Sequence, residues 1–156
     1  MAAPARDRDG WQIEPLRREA VAEALAIERA SFRSPWPRQA FLDEMTKPWA
    51  HLDALQQRPG GPVVAFVNFW LVEDEVHILN VATHPDRRRE GLASFLLEHV
   101  GSFARAHQAA RITLEVRRSN RAAMLLYLRY GYRPVAVRPN YYADEHEDAI
   151  LMILAL

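Results

Sequence analysis

The chain has no cysteine. That excludes disulfides, a cysteine nucleophile, thiolate zinc sites and iron–sulfur clusters, and it fits a reducing cytoplasm. A surplus of charge is missing too. Twenty basic residues stand against 20 acidic ones, so bulk attraction to nucleic acid is not expected. Long apolar runs are also lacking. The longest, 63–72 (broken by Asn68) and 149–156, fall well below the ~20 residues that span a bilayer, so no membrane partner is expected. The first ten residues carry charges where a signal peptide needs an apolar core. No Gly/Ser linker, repeat or low-complexity tract divides the 156 residues. The expectation is a cytoplasmic protein with one domain over 11–156, behind a disordered extension over 1–10.

What is present is periodic. Residues 18–31 have helical character, with Val21, Leu25 and Ile27 as apolar points. Ser34-Pro-Trp-Pro37 breaks the chain, and a short helix is predicted over 38–45. A strand is predicted over 51–57, with 58–62 as a turn. Residues 63–72 are so apolar that both faces of that strand should be covered, and 76–82 returns after a polar turn as a hairpin partner. Leu92, Phe95, Leu96, His99, Val100 and Phe103 form one stripe of a helix over 92–107. Residues 111–117 alternate, with Ile112, Leu114 and Val116 on one face and Thr113, Glu115 and Arg117 on the other. A last helix over 120–130 has Ser119 as its expected N-cap and Gly131 at C′. Two closing strands, 132–138 and 149–155, leave 141–148 as a loop. The order is two helices, three strands, helix, strand, helix, two strands. It implies an α/β (α+β) layer with a mixed sheet.

The junction between 81 and 93 holds the densest chemical signal. A strand ends, an Arg-rich loop turns, and a helix begins at Gly91-Leu-Ala93. A helix N-terminus leaves four N–H groups unpaired and carries partial positive charge, which suits a pyrophosphate. Neither Gly-Lys-Ser/Thr nor Gly-x-Gly-x-x-Gly is present. An ordinary helix start behind a solvated Arg loop is the competing reading. Histidine spacing matches no metal site, and no Ser/His/Asp triad stands out.

Arg88-x-x-Gly91-x-Ala93, after a strand and before an amphipathic helix, resembles the acetyl-CoA pyrophosphate loop of the GNAT N-acetyltransferases. The text around it is more specific. Pro35-Trp36 then Phe41, Ile78-Leu-Asn-Val81, Leu114-Glu-Val-Arg117, Ser119-Asn120, Leu126-Tyr127, Tyr130-Gly131-Tyr132, Asn140-Tyr141-Tyr142 and Glu147-Asp-Ala-Ile150 are together similar to ribosomal-protein-alanine N-acetyltransferases of the RimI type. The similarity runs from about residue 13 to the end. Ala65 and Ala93 stand where the family often has glycine, and neither change removes a chemical group.

The resemblance implies a GNAT fold: a mixed, mostly antiparallel central sheet with helices on both faces. It implies acetyl-CoA as cosubstrate, no metal, and the N-terminal alanine of a small-subunit ribosomal protein as acceptor. Glu115 would be the base and Tyr127 the acid. From position alone, Glu115 also reads as a paired strand carboxylate, and Tyr127 as a core tyrosine. Backbone groups of Val81, Ala82 and Thr83 would pair with pantetheine. The loop Arg88, Arg89, Glu90, Gly91, Leu92, Ala93 and Ser94 would hold pyrophosphate. Asn120 would bond the pantetheine arm or simply cap its helix. Trp36, Tyr141 and Tyr142 would wall the peptide site. The alternatives are another amine acceptor, or a non-catalytic acetyl-CoA-binding module.

Charge is unevenly spread. Residues 84–133 hold ten arginines against four acids, and the remainder is acidic by the same margin. A basic half suits a polyanionic cofactor and an acidic half a basic peptide.

Overall fold

The computed structural model describes residues 10–142 and 146–156. The expected extension lies outside the described residues except for Gly10, as do Asp144 and Glu145 of the expected acidic loop.

Seven strands form one sheet. They are β1 (Gln12–Pro15), β2 (Ala50–Gln56), β3 (Val63–Val72), β4 (Glu75–Thr83), β5 (Arg111–Arg117), β6 (Arg133–Tyr142) and β7 (Glu147–Ala155). Their spatial order is β1-β2-β3-β4-β5-β7-β6. Every neighbouring pair is antiparallel except β4 and β5, which are parallel. Four helices complete the fold: α1 (Val21–Ser31), α2 (Arg38–Glu44), α3 (Leu92–Ala106) and α4 (Arg121–Arg129). The crossover from β4 to β5 runs through α3, as parallel pairing requires.

The side chains of β3 divide the helices between two faces. Phe66 packs with Val21, Leu25 and Phe41 under α1 and α2, while Val67 packs with Leu96 and Val100 of α3. Residues from Val63 to Phe69 are all buried, as their apolar run predicts. Asn68 is among them, and both its amide atoms lack a side-chain or backbone partner. An orphaned polar group costs about 1–3 kcal/mol. Fully burying Phe66 and Phe69 contributes roughly 1.5–3 kcal/mol apiece, so the strand tolerates it.

Three local expectations are corrected. The sequence pattern missed β1, whose four residues are too few to show alternation. The flanking Trp11 and Leu16 are buried and seat it on the sheet edge. Asn120, not Ser119, caps α4, its side chain accepting the Ala123 N–H at 3.2 Å. Both ends of the expected 141–148 loop are strand: β6 runs to Tyr142 and β7 starts at Glu147. β6 gets there through register shifts, with Asn140 at φ 51° and its N–H bonded to Asp148 Oδ1 at 3.0 Å.

Candidate active site

The β4–β5 ladder pairs only Glu75 to Ile78 with Arg111 to Leu114. Beyond that the strands part. The cause lies on the other side of β4. Asn68 pairs with Asn80 and Phe69 with Ile78, so Leu79 is an extra residue in a β-bulge. A bulge bends its strand and raises local twist. On β4, residues Val81 to Thr83 stay paired with β3, and their other edge faces the opening.

A cavity of about 780 Å³ occupies this opening. Trp36, Val81, Glu115, Asn120, Tyr127 and Tyr142 line it together with Glu28 and Asn80. Six expected site residues thus converge from five separate parts of the chain. Tyr141 does not join them: it is exposed, and its ring meets Tyr142 edge-on at 5.1 Å. Alternation along β6 turns it away from the cavity.

Glu115 is the first β5 residue past the end of the ladder. Its side chain is 9% exposed. Oε1 lies 3.3 Å from His77 Nε2, and Oε2 lies 3.1 Å from Arg138 Nε. Glu115 is therefore a shielded carboxylate with a partner on each oxygen, in contact with β4 and β6. Arg117, on the same face of β5, is engaged elsewhere. Its guanidinium covers the Tyr142 ring at 3.9 Å and bonds Glu147 Oε1 at 3.5 Å.

Tyr127 comes from α4 and packs against the α3 side of the core, its ring 5.9 Å from that of Tyr132. Burial pushes its phenol up to about 12, and the neighbouring Tyr142 adds to this. Tyr142 is itself raised to about 12 by burial, with Arg117 working against the rise. Both phenols keep their protons at neutral pH.

Glu28 and Asn80 were not singled out from the sequence. Glu28 is 1% exposed and accepts the Trp36 backbone N–H at 2.9 Å and Asn80 Nδ2 at 2.8 Å. Burial raises its pKa, and those two bonds lower it in part. The missed signal was spacing: Glu28 follows Val21, Ala24 and Leu25 on the buried stripe of α1. A charge on such a stripe needs a partner.

The junction at α3 lies along the same β4 edge, outside the cavity lining. Arg88, Arg89, Glu90 and Gly91 are exposed, while Leu92 is buried. Gly91 is the N-cap at φ 75°, with no side chain capping the helix. A Cβ there would touch nothing within 4 Å, so the space above the helix start is open. Ala93 lies inside the helix, so its methyl group costs the backbone nothing. Ser94 is in the first turn of the same helix. Arg87 forks onto Glu90 at 2.9 and 3.0 Å, which raises the Arg87 pKa and lowers that of Glu90. Arg88 reaches Ser31 Oγ at 3.4 Å. Among the described residues, no group of three or more metal-ligating side chains exists. No helix there is long and apolar enough to cross a membrane.

β4 is bulged, parts from β5 and leads into an uncapped helix start. The sequence model of the acetyltransferase (GNAT) family matches residues 21–132. The chain belongs to the GNAT acetyltransferase family. Its GNAT relatives include a Bacillus subtilis protein named putative ribosomal protein bS18-alanine N-acetyltransferase. The two are 33% identical over 141 residues, covering 90% of this chain and 92% of that one. A Mycobacterium tuberculosis protein named N-alpha-acetyltransferase RimI is 33% identical over 154 residues, covering 94% and 93%. Among solved GNAT structures, the ribosomal-protein-alanine N-acetyltransferase of Escherichia coli superposes with a TM-score of 0.84. It has 34% sequence identity and covers 93% of each chain.

Proposed function

We propose that this GNAT enzyme moves acetyl from acetyl-CoA to the α-amine of an N-terminal alanine, and that its acceptor is ribosomal protein bS18, as its relatives are named. The observation that carries the reading is the parted β4–β5 edge, whose cavity is lined by both Glu115 and Tyr127.

Acetyl-CoA supplies the acyl group. The pantetheine arm lies along the free edge of Val81, Ala82 and Thr83 like an added strand, and a Val81 N–H aimed at the acetyl carbonyl stabilises its developing charge. The uncapped N–H groups from Gly91 to Ser94, with exposed Arg88 and Arg89, receive the pyrophosphate. Asn120 spends Oδ1 on its cap, which leaves Nδ2 for the arm. Trp36 and Tyr142 flank the peptide. Tyr141 is exposed and lies outside the cavity lining.

An α-ammonium titrates near 8, so only about a tenth is neutral at pH 7. Glu115 removes one proton. The amine attacks the thioester carbon, the C–N bond forms and the C–S bond breaks. The thiolate, of pKa about 8.5 as a free thiol, meets the Tyr127 phenol. A phenol raised to about 12 is a weaker acid than the thiol it would make. Tyr127 therefore acts by hydrogen bonding to the leaving sulfur and keeps its own proton, while the second proton, shed by the nitrogen as the C–S bond breaks, ends on the thiolate. Without a cysteine no acetyl-enzyme on sulfur forms, and direct transfer is the simpler course. Holding amine and thioester in line contributes most of the rate.

The test is radiolabelled acetyl transfer to a synthetic peptide beginning Ala-Arg, beside the same peptide with a blocked N-terminus. Label on the free peptide alone is expected. Equal label on both would move the acceptor to a side-chain amine.

A further inference from the structure

We propose that His77 is the proton relay behind Glu115, taking at Nε2 the proton that Glu115 Oε1 removes from the substrate ammonium. This rests on the reading of Glu115 as the base. His77 lies directly opposite Thr113 in the last paired stretch of β4 and β5. Its two ring nitrogens are both engaged: Nδ1 lies 2.6 Å from Thr113 Oγ1, and Nε2 lies 3.3 Å from Glu115 Oε1.

The relay requires the Nδ1–H tautomer. Thr113 can accept it: its one hydroxyl proton has an acceptor in Glu75 Oε2 at 3.4 Å. The Thr113 oxygen is then left to receive His77 Nδ1–H at 2.6 Å. In the neutral imidazole Nε2 then carries a lone pair, and that lone pair faces a carboxylate oxygen. Two acceptors 3.3 Å apart attract only with a proton between them. The pair is vacant at rest and is filled by the proton taken from the substrate.

Glu115 has a single oxygen for this exchange. Oε2 is bonded to Arg138, and a guanidinium does not give up its proton. Oε1 is the exchanging oxygen, and His77 is what it meets. The side chain of His77 is 28% exposed against 9% for Glu115, so the relay leads from a shielded group to a wetter one. The balance is simple. The ammonium becomes an amine and His77 becomes imidazolium, which returns its proton to water while Glu115 is restored.

The charged groups around His77 are few. Glu75, bonded to Arg111 at 3.3 Å, stands behind Thr113. Glu115 carries Arg138. On β3 the register partner is Trp70, whose indole N–H bonds Glu44 at 2.6 Å, and Lys47 pairs with Glu44.

The experiment compares His77→Gln and His77→Ala in the full chain. With the Ala-Arg peptide, His77→Gln should lower kcat about ten- to a hundredfold, leave both KM values unchanged and shift the acidic limb of the pH profile. Added imidazole should restore part of the His77→Ala rate. A second readout needs no turnover: ¹⁵N NMR of the resting protein should show His77 as the Nδ1–H tautomer. An Nε2–H tautomer overturns the proposal, as does a His77→Gln enzyme with wild-type kcat and pH profile. If the wild-type enzyme ignores the peptide, the acceptor reading fails, and the NMR result still decides the relay.

Discussion

Asn80 and Glu28 meet across the wall of the cleft, the Asn80 side-chain Nδ2 donating to Glu28 Oε1 at 2.8 Å. The other oxygen of the same carboxylate holds the Trp36 backbone N–H at 2.9 Å. One buried side chain of α1 therefore ties the Pro-rich segment to the bulged strand. The bond also orients Asn80: its amide N–H₂ points at Glu28, and its Oδ1 is buried with no protein partner. An unpaired acceptor beside a peptide site suits a backbone N–H of the acceptor peptide.

Glu28→Ala removes the acceptor from two donors at once. Each lost bond costs about 1–3 kcal/mol, so Tm should fall by roughly 4–24 °C at about 2–4 °C per kcal/mol. Peptide KM should rise more than acetyl-CoA KM. Glu28→Gln keeps one acceptor and should lose about half as much stability. Equal Tm values for the two variants, by calorimetry, would remove the bridging role.

Tyr127→Phe keeps the ring contact with Tyr132 and deletes the hydroxyl. The expected result is a fall in kcat of about a hundredfold, at the lower end for general acid catalysis, with Tm nearly unchanged. The phenol, raised to about 12, stays protonated through the assay range. Wild type should therefore show no basic limb from this group below pH 10. A Tyr127→Phe enzyme with wild-type kcat under single-turnover conditions would remove Tyr127 from the chemistry.

Gly91 sits at φ 75° with open space around it. Alanine there meets no clash, so any penalty is conformational, about 1 kcal/mol for a side chain in the left-handed region. If the helix start holds pyrophosphate, that strain and the new methyl group fall on the ligand. Gly91→Val should raise acetyl-CoA KM at least tenfold and leave peptide KM unchanged, measured with each substrate varied in turn. Unchanged acetyl-CoA KM would place the pyrophosphate elsewhere.

Legibility followed the range of the interaction. α3 and β5 announced themselves because one repeating face contacts one core, so Leu92, Phe95 and Leu96, or Ile112 and Leu114, carry the pattern in consecutive turns or alternate residues. The pattern missed β1 because four residues hold too little of it. Glu115, Tyr127, Trp36 and Tyr142 were placed in the cleft through resemblance, and the geometry brings them together. Their partners were not visible. His77, Arg138 and Glu28 act through contacts 23 to 52 positions apart in the chain, set by the β4 bulge and the β5-β7-β6 order. Nothing local in the sequence encodes those. The cancelled net charge concealed a similar point, since Arg117 serves Tyr142 and Glu147 inside the cleft rather than the cofactor.

His51 on β2 stacks on Phe69 at 5.0 Å and leans on Phe103 at 4.6 Å. Burial pushes its imidazole below the usual value of 6.5; Asp53 opposes that, and His107 and His99 add to it. A group with a depressed folded pKa binds fewer protons in the native state than in the unfolded chain. Its contribution is therefore present above about pH 6.5 and lost as pH falls through the folded pKa. His51→Phe keeps an aromatic ring between the same neighbours and cannot charge. Between pH 7 and pH 5 its Tm should fall less than that of wild type, while the two stay close at pH 8. The His99–Asp53 pair, 2.7 Å apart, is present in both proteins and largely cancels from the comparison. Parallel Tm curves across that range, from scanning calorimetry, would show that burial of His51 carries no proton linkage.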